Sequence, residues 1–121
     1  INKEQLPYLY HIVTMGSSFV WNYKIKWDNS ANKFFDTLAA GRPVLINYQG
    51  WQAEVIRKFK CGYVLPYYLN EDDNCAFAEY MMNDLKLVQD GINARIAAEE
   101  YSLDSAVNKY LKIFKNLHLY A

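Results

Sequence analysis

Three short apolar runs, alternating with segments of helical periodicity, constrain this chain more than any other feature. The runs are Ser17-Ser18-Phe19-Val20-Trp21, Pro43-Val44-Leu45-Ile46-Asn47-Tyr48 and Cys61-Gly62-Tyr63-Val64-Leu65-Pro66. They have the length of strands rather than helices, and glycine or proline punctuates the chain beside each. Between them lie segments that read as helices. Pro7 suits a helix start over Pro7 to Thr14, with Tyr8, Leu9, Ile12 and Val13 as its apolar face and Gly16 breaking the pattern. Ser30 is placed to cap a helix in which Ala31, Phe34, Phe35 and Leu38 recur, and Gly41 supplies a left-handed stop with Pro43 just beyond. A third helix is expected from Trp51 to Phe59. Helix, strand, helix, strand, helix, strand in that order argues for an α/β fold of about three parallel strands joined by crossover helices. The nearly continuous apolar run at Pro43 to Tyr48 predicts a strand covered on both faces.

The remainder reads as a helical C-terminus. Phe77, Met81, Leu85 and Val88 are expected to line one apolar face, Ile92 and Ile96 another, and Leu103, Val107, Leu111 and Phe114 a third, with Ser102 as the cap of the last helix. A hydrophobic fraction of 52% over 121 residues is enough for one packed domain spanning 1–121. Thirteen basic side chains balance thirteen acidic ones, so no overall field gathers nucleic acid or an anionic surface. Eleven tyrosines could form a stacking platform for single strands, but the basic groove that such binding needs is not in the sequence, and no nucleic-acid partner is expected.

Cys61 and Cys75 lack metal-ligand spacing, so no metal is expected and the thiols read as reduced, in a cytoplasmic protein. His11 and His118 have no nucleophile or metal-spaced partner nearby and are not read as catalytic bases. The polar start Ile1-Asn2-Lys3-Glu4 is unlike a signal peptide, and without an initiator methionine the chain is expected to be cut from something longer.

In open parallel sheets, ligands bind beyond the carboxyl ends of the strands, where helix N-termini favour phosphate. Two such junctions occur, Trp27 to Lys33 and Tyr48 to Glu54. Asp28 falls in the first loop and Asp36 on the second turn of the following helix. A carboxylate there can accept both hydroxyls of a ribose. The alternative is that Asp28 is solvated and Asp36 stabilises the positive helix end.

The segment Asn32-Lys33-Phe34-Phe35-Asp36-Thr37-Leu38-Ala39-Ala40-Gly41-Arg42-Pro43-Val44, followed by Asn47-Tyr48-Gln49-Gly50-Trp51-Gln52-Ala53-Glu54, resembles the C-terminal, donor-binding domain of family 4 retaining glycosyltransferases of the GT-B fold. It is nearest to a bacterial surface-polysaccharide subgroup reading N-K-x-F-D-x-L-A-A-G-x-P-V and then N-Y-G-G-W-Q-A-E. Weaker similarity runs from Leu6 to the C-terminus. The resemblance implies half of a Rossmann-like doubly wound domain, the second half of the nucleotide-sugar-binding unit. It implies a parent enzyme that transfers a sugar, with retention, from a nucleotide-diphosphate donor, a UDP-sugar being expected, to a glycan or lipid-linked acceptor. No further cofactor is implied.

The family's paired acids, E-x7-E, fall on Asp28, implied to lie near the transferred sugar as the catalytic acid, and on Asp36, implied to hold the ribose. Helix-start amides of Ser30, Ala31 and Asn32 would face the diphosphate, with Lys33 either a charge partner or a solvated lysine. Gly50, Trp51 and Glu54 are further candidates. Trp51 and Tyr48 could pack on a ring of the donor or belong to the core, and Glu54 is explained by its place in a first turn without any ligand. The sequence departs from the pattern in using two aspartates, in replacing a glycine-rich linker by Asn29-Ser30-Ala31-Asn32, and in placing Gln49 where the subgroup has a glycine.

The resemblance also leaves the first half of the donor domain and the acceptor domain outside the chain, so that the chain alone is not expected to turn over. The strand Ser17 to Trp21 would then have an open edge, predicting self-association or pairing with the N-terminal part of the enzyme there. The location implied is cytoplasmic, peripheral to the inner membrane in the parent. The competing reading is a non-catalytic, flavodoxin-like interaction domain or nucleotide-binding scaffold.

Overall fold

The computed structural model describes residues 2–21 and 32–119, with side chains through Leu117. The order of elements is α1 (Leu6–Ile12), β1 (Gly16–Ser18), α2 (Asn32–Ala39), β2 (Val44–Ile46), α3 (Trp51–Phe59), β3 (Gly62–Val64), α4 (Glu71–Met82), α5 (Asp84–Glu100) and α6 (Leu103–Leu119). The strands form one parallel sheet in the order β1-β2-β3, with Gly16, Val44 and Gly62 in register. This is the α/β architecture that the alternation implies. Val44, Leu45 and Ile46 are all buried, so β2 is covered on both faces as its apolar run predicts.

Local chemistry accounts for the boundaries. Gly41 adopts φ 70° after α2, where a side chain would be strained, and its N–H closes on Leu38 O at 3.0 Å. Asn70 and Asp73 form a reciprocal capping box at the start of α4, Asn83 Oδ1 accepts from Lys86 N–H at the start of α5, and Ser102 Oγ accepts from Ser105 N–H as the expected cap of α6. Strand β1 differs from expectation at both ends. Gly16, which breaks the preceding helical pattern, is itself the first residue of the strand, and a Cβ there would lie 2.1 Å from Thr37 Oγ1 where α2 crosses it. The strand ends at Ser18, leaving Phe19 and Trp21 exposed.

Helix α5 organises the packing, lying against α2, α3, α4 and β3. Here the large apolar residues do not face the core. The buried residues of α5 are Leu87, Asp90, Gly91, Ala94 and Ala97, while Leu85, Val88, Ile92 and Ile96 face outward. Small side chains let the helix approach closely: a Cβ on Gly91 would fall 2.6 Å from Gly41 O. The helical run is also interrupted at Asn83, between α4 and α5, so Phe77 and Met81 do not continue into the face of Leu85 and Val88. The third expected face is exposed as well, since Leu103, Val107, Leu111 and Phe114 of α6 are 46–79% accessible.

Candidate functional site

The carboxyl ends of β1 and β2 meet the N-termini of α2 and α3 at one end of the sheet. Asn47, the residue after β2, ties this end together. Its Oδ1 accepts from Val20 N–H at 2.9 Å and its Nδ2 donates to Val20 O at 3.2 Å, so one side-chain amide continues the ladder after β1 has ended. Tyr48 follows, 3% exposed, its hydroxyl donating to Gln52 Oε1, with Gln52 and Ala53 fully buried. Burial pushes the Tyr48 phenol up, and a hydrogen bond with Ser18 partly offsets this. Gly50, at the N-cap of α3, has φ 112° and ψ −162°, a backbone that only glycine adopts readily. Gln49, where the subgroup has a glycine, is exposed and accepts from the Arg57 guanidinium at 2.7 Å, so the turn requires glycine at its second position and not its first.

The expected site residues separate into groups. Asp28, Ser30 and Ala31 lie outside the described residues. Asn32, Lys33 and Asp36 are exposed on the first two turns of α2. Asp36 stands on a ridge between two shallow grooves. One, of about 440 Å³, is shared with Phe35, Arg95, Tyr101 and Ser102, and the other, of about 660 Å³, with Lys3, Pro7, Tyr10 and Asn32. Glu54 is exposed in the first turn of α3, where a carboxylate suits the positive helix end. Trp51 is part of an aromatic cluster, stacked on Phe35 at 5.9 Å and edge-on to Phe34, with Tyr101 on the far side of Phe35. Its ring joins α2 to α3 and the end of α5.

The opposite end of the sheet carries a groove of about 650 Å³ whose cations are already engaged. Arg42 donates to Tyr10 O at 2.8 Å and His11 O at 3.0 Å, capping α1, and Arg95 donates to Ala39 O at 2.9 Å, capping α2. Among the described residues no group of three His, Cys, Asp or Glu is disposed to hold a metal ion.

One buried acid escapes the sequence reading. Asp90 is 1% exposed and accepts from Tyr80 Oη at 2.6 Å and Lys86 Nζ at 2.9 Å. Burial, and secondarily the charge of Asp90, pushes the Cys61 thiol up to about 12. Burial followed by the hydrogen bond to Asp90 raises the Tyr80 phenol further above its usual value. The thiol and the phenol stay protonated at neutral pH, and the Tyr80–Asp90 hydrogen bond ties α4 to α5. Asn47 and Asp90 were legible only as polar residues beside apolar ones; neither has a spacing that announces its partner.

No family model, curated protein or solved structure matches this chain.

Proposed function

We propose that this chain is the ribose-facing half of a nucleotide-sugar donor site, belonging to a retaining glycosyltransferase of the GT-B type. The observation that supports it best is the exposure of Asn32, Lys33 and Asp36 at the start of α2, beyond the carboxyl end of the parallel strands, where open α/β sheets take their ligands. The glycine-only conformation of Gly50 at the adjoining helix start agrees with it. In this reading Asp36 accepts the ribose hydroxyls of a UDP-sugar, amides of Ser30, Ala31 and Asn32 meet the diphosphate, and Asp28 lies by the transferred sugar. The rest of the enzyme supplies the acceptor site, at the cytoplasmic side of the inner membrane. The free edge of β1 takes a strand from that remainder or from a second copy.

The second reading, a non-catalytic scaffold, draws on a different observation. Tyr48, Gln52 and Ala53, which carry much of the motif, are buried and serve the core.

Titration of the chain with uridine and guanosine diphosphates, followed by amide shifts at the start of α2, tests the proposal. Loss of a charged hydrogen bond to ribose in Asp36→Ala should weaken binding about tenfold or more. Unchanged affinity removes the ribose role from Asp36. Failure of the unaltered chain to bind either nucleotide favours the scaffold.

A further inference from the structure

Helix α6 is amphipathic without packing broadly on any other described element. Leu103, Val107, Tyr110, Leu111, Ile113, Phe114 and Leu117 are 46–79% exposed, and at 3.6 residues per turn they occupy one arc of roughly 160°. Leu103, Val107, Tyr110, Phe114 and Leu117 keep the four-and-three spacing of a helix-packing seam. The ion pair of Lys109 with Glu100, at 3.2 Å, holds the polar flank of α6 toward the end of α5. The same chain presents a second unpartnered stripe, Leu85, Val88, Ile92 and Ile96 on α5, each 53–86% exposed. The stripes run about 21 Å and about 17 Å along their helices, so one can cover the other.

Their charges are complementary. Helix α5 carries Asp84, Asp90, Glu99 and Glu100 against Lys86 and Arg95, a net −2, and α6 carries Lys109, Lys112 and Lys115 against Asp104, a net +2. We propose that α6 of one copy of this chain packs along the α5 stripe of a second copy, each chain giving and receiving one helix in a two-fold dimer. A two-fold axis satisfies both stripes at once and closes the assembly. Aligned in parallel, with Leu103 opposite Leu85, the stripes bring Lys115 nearest Glu99 of the other copy and Asp104 nearest its Lys86. If the eleven stripe side chains lose about 100 Å² each, roughly 1,100 Å² is buried per copy, above the ~800 Å² of a standard interface. The inference stands apart from the donor-site reading.

Size-exclusion chromatography with light scattering tests it. The expected mass is twice the 14.2 kDa of one chain. Tyr110→Asp and Ile92→Asp, both at exposed positions, should each yield a monomer with unchanged helical circular dichroism. Lys115→Glu should weaken association severalfold, and adding Glu99→Lys should restore it. In a Cys75→Ser background, a flexible bismaleimide should join a Tyr110→Cys chain to an Ile92→Cys chain. A monomer at concentrations up to about 100 µM, above the micromolar range of interfaces this size, overturns the proposal. So does a dimer that ignores these substitutions, as pairing through the β1 edge would, or a monomer drawn through α6 onto anionic phospholipid vesicles.

Discussion

Removing the side-chain amide of Asn47 should loosen the binding end of the sheet by an amount that its two hydrogen bonds define. Asn47→Ala deletes the acceptor for Val20 N–H at 2.9 Å and the donor to Val20 O at 3.2 Å. At about 1 kcal/mol net for each, the loss comes to about 2 kcal/mol, moderated where water reaches the half-buried Val20. Asn47→Asp discriminates this mechanism from simple loss of volume. Its carboxylate still accepts from Val20 N–H but turns an anionic oxygen toward Val20 O, so at neutral pH it should cost at least as much as alanine. Its protonated form can donate to that carbonyl. The neutral acid is therefore favoured in the folded state and its titration is raised, so the variant's stability is greatest at low pH and falls as pH rises through that titration. Urea unfolding of wild type and both variants at neutral and acidic pH gives the differences. Amide exchange at Val20 gives the local effect, expected to be about 30-fold faster for 2 kcal/mol. The reasoning is refuted if Val20 exchanges no faster in Asn47→Ala, or if the penalty of Asn47→Asp is independent of pH. Because Val20 leads into the segment carrying Asp28, the same variants should weaken any nucleotide binding by the folded chain.

Two further outcomes are expected from the buried cluster. Asp90→Ala strands the buried Tyr80 hydroxyl, while the half-exposed Lys86 ammonium keeps its water, and should cost about 2 kcal/mol by urea unfolding, with Asp90→Asn less severe because an amide oxygen can still accept from Tyr80; a loss below about 0.5 kcal/mol would show that the cluster is not a stabilising one. For Cys61 the folded pKa is raised from 9.0 to about 12, so stability is intact below about pH 9 and declines above it, by about 2 kcal/mol at pH 10.5 at 1.36 kcal/mol per unit. Iodoacetamide at neutral pH should correspondingly modify exposed Cys75 and leave Cys61 intact, and a stability that stays flat to pH 10.5 would contradict the burial of that thiol.

The parts of this fold that the sequence made legible are those where local chemistry decides the matter. Helix α3 runs from Trp51 to Phe59, as its pattern predicts, because a glycine with φ 112° starts it and basic residues suit its last turn. Gly41 and Pro43 end one helix and start one strand for reasons of backbone geometry alone. The candidate site was legible to a lesser degree. Exposure of Asp36 follows from its place opposite Phe34, Thr37 and Leu38 on α2, but the fate of the Asn47 to Glu54 segment does not follow from its motif. Its most distinctive residues divide between Tyr48, Trp51 and Gln52, which build the core or its aromatic rim, and Gln49 and Glu54, which face solvent. A linear motif cannot separate a residue kept for a ligand from one kept for packing, since both need fixed spacing.

The reversal of α5 has a more general cause, and it bears on how the chain finishes its own structure. Periodicity gives most weight to large apolar side chains, so Leu85, Val88, Ile92 and Ile96 attract the inward assignment. Close helix packing rewards the opposite quality. Gly91, Ala94 and Ala97 admit α2 and the Gly41 turn at distances that a leucine would forbid, and the buried Asp90 is held by partners on both sides. Once the small-residue face is committed inward, the large apolar face of the same helix is left outside, and the arc of α6 is left with it. Two adjacent helices with exposed stripes of similar length and opposite net charge have a common remedy in each other, reached through a second copy. On this argument the hydrophobic pattern of α5 was not misleading about burial; it describes a burial that the single chain does not complete.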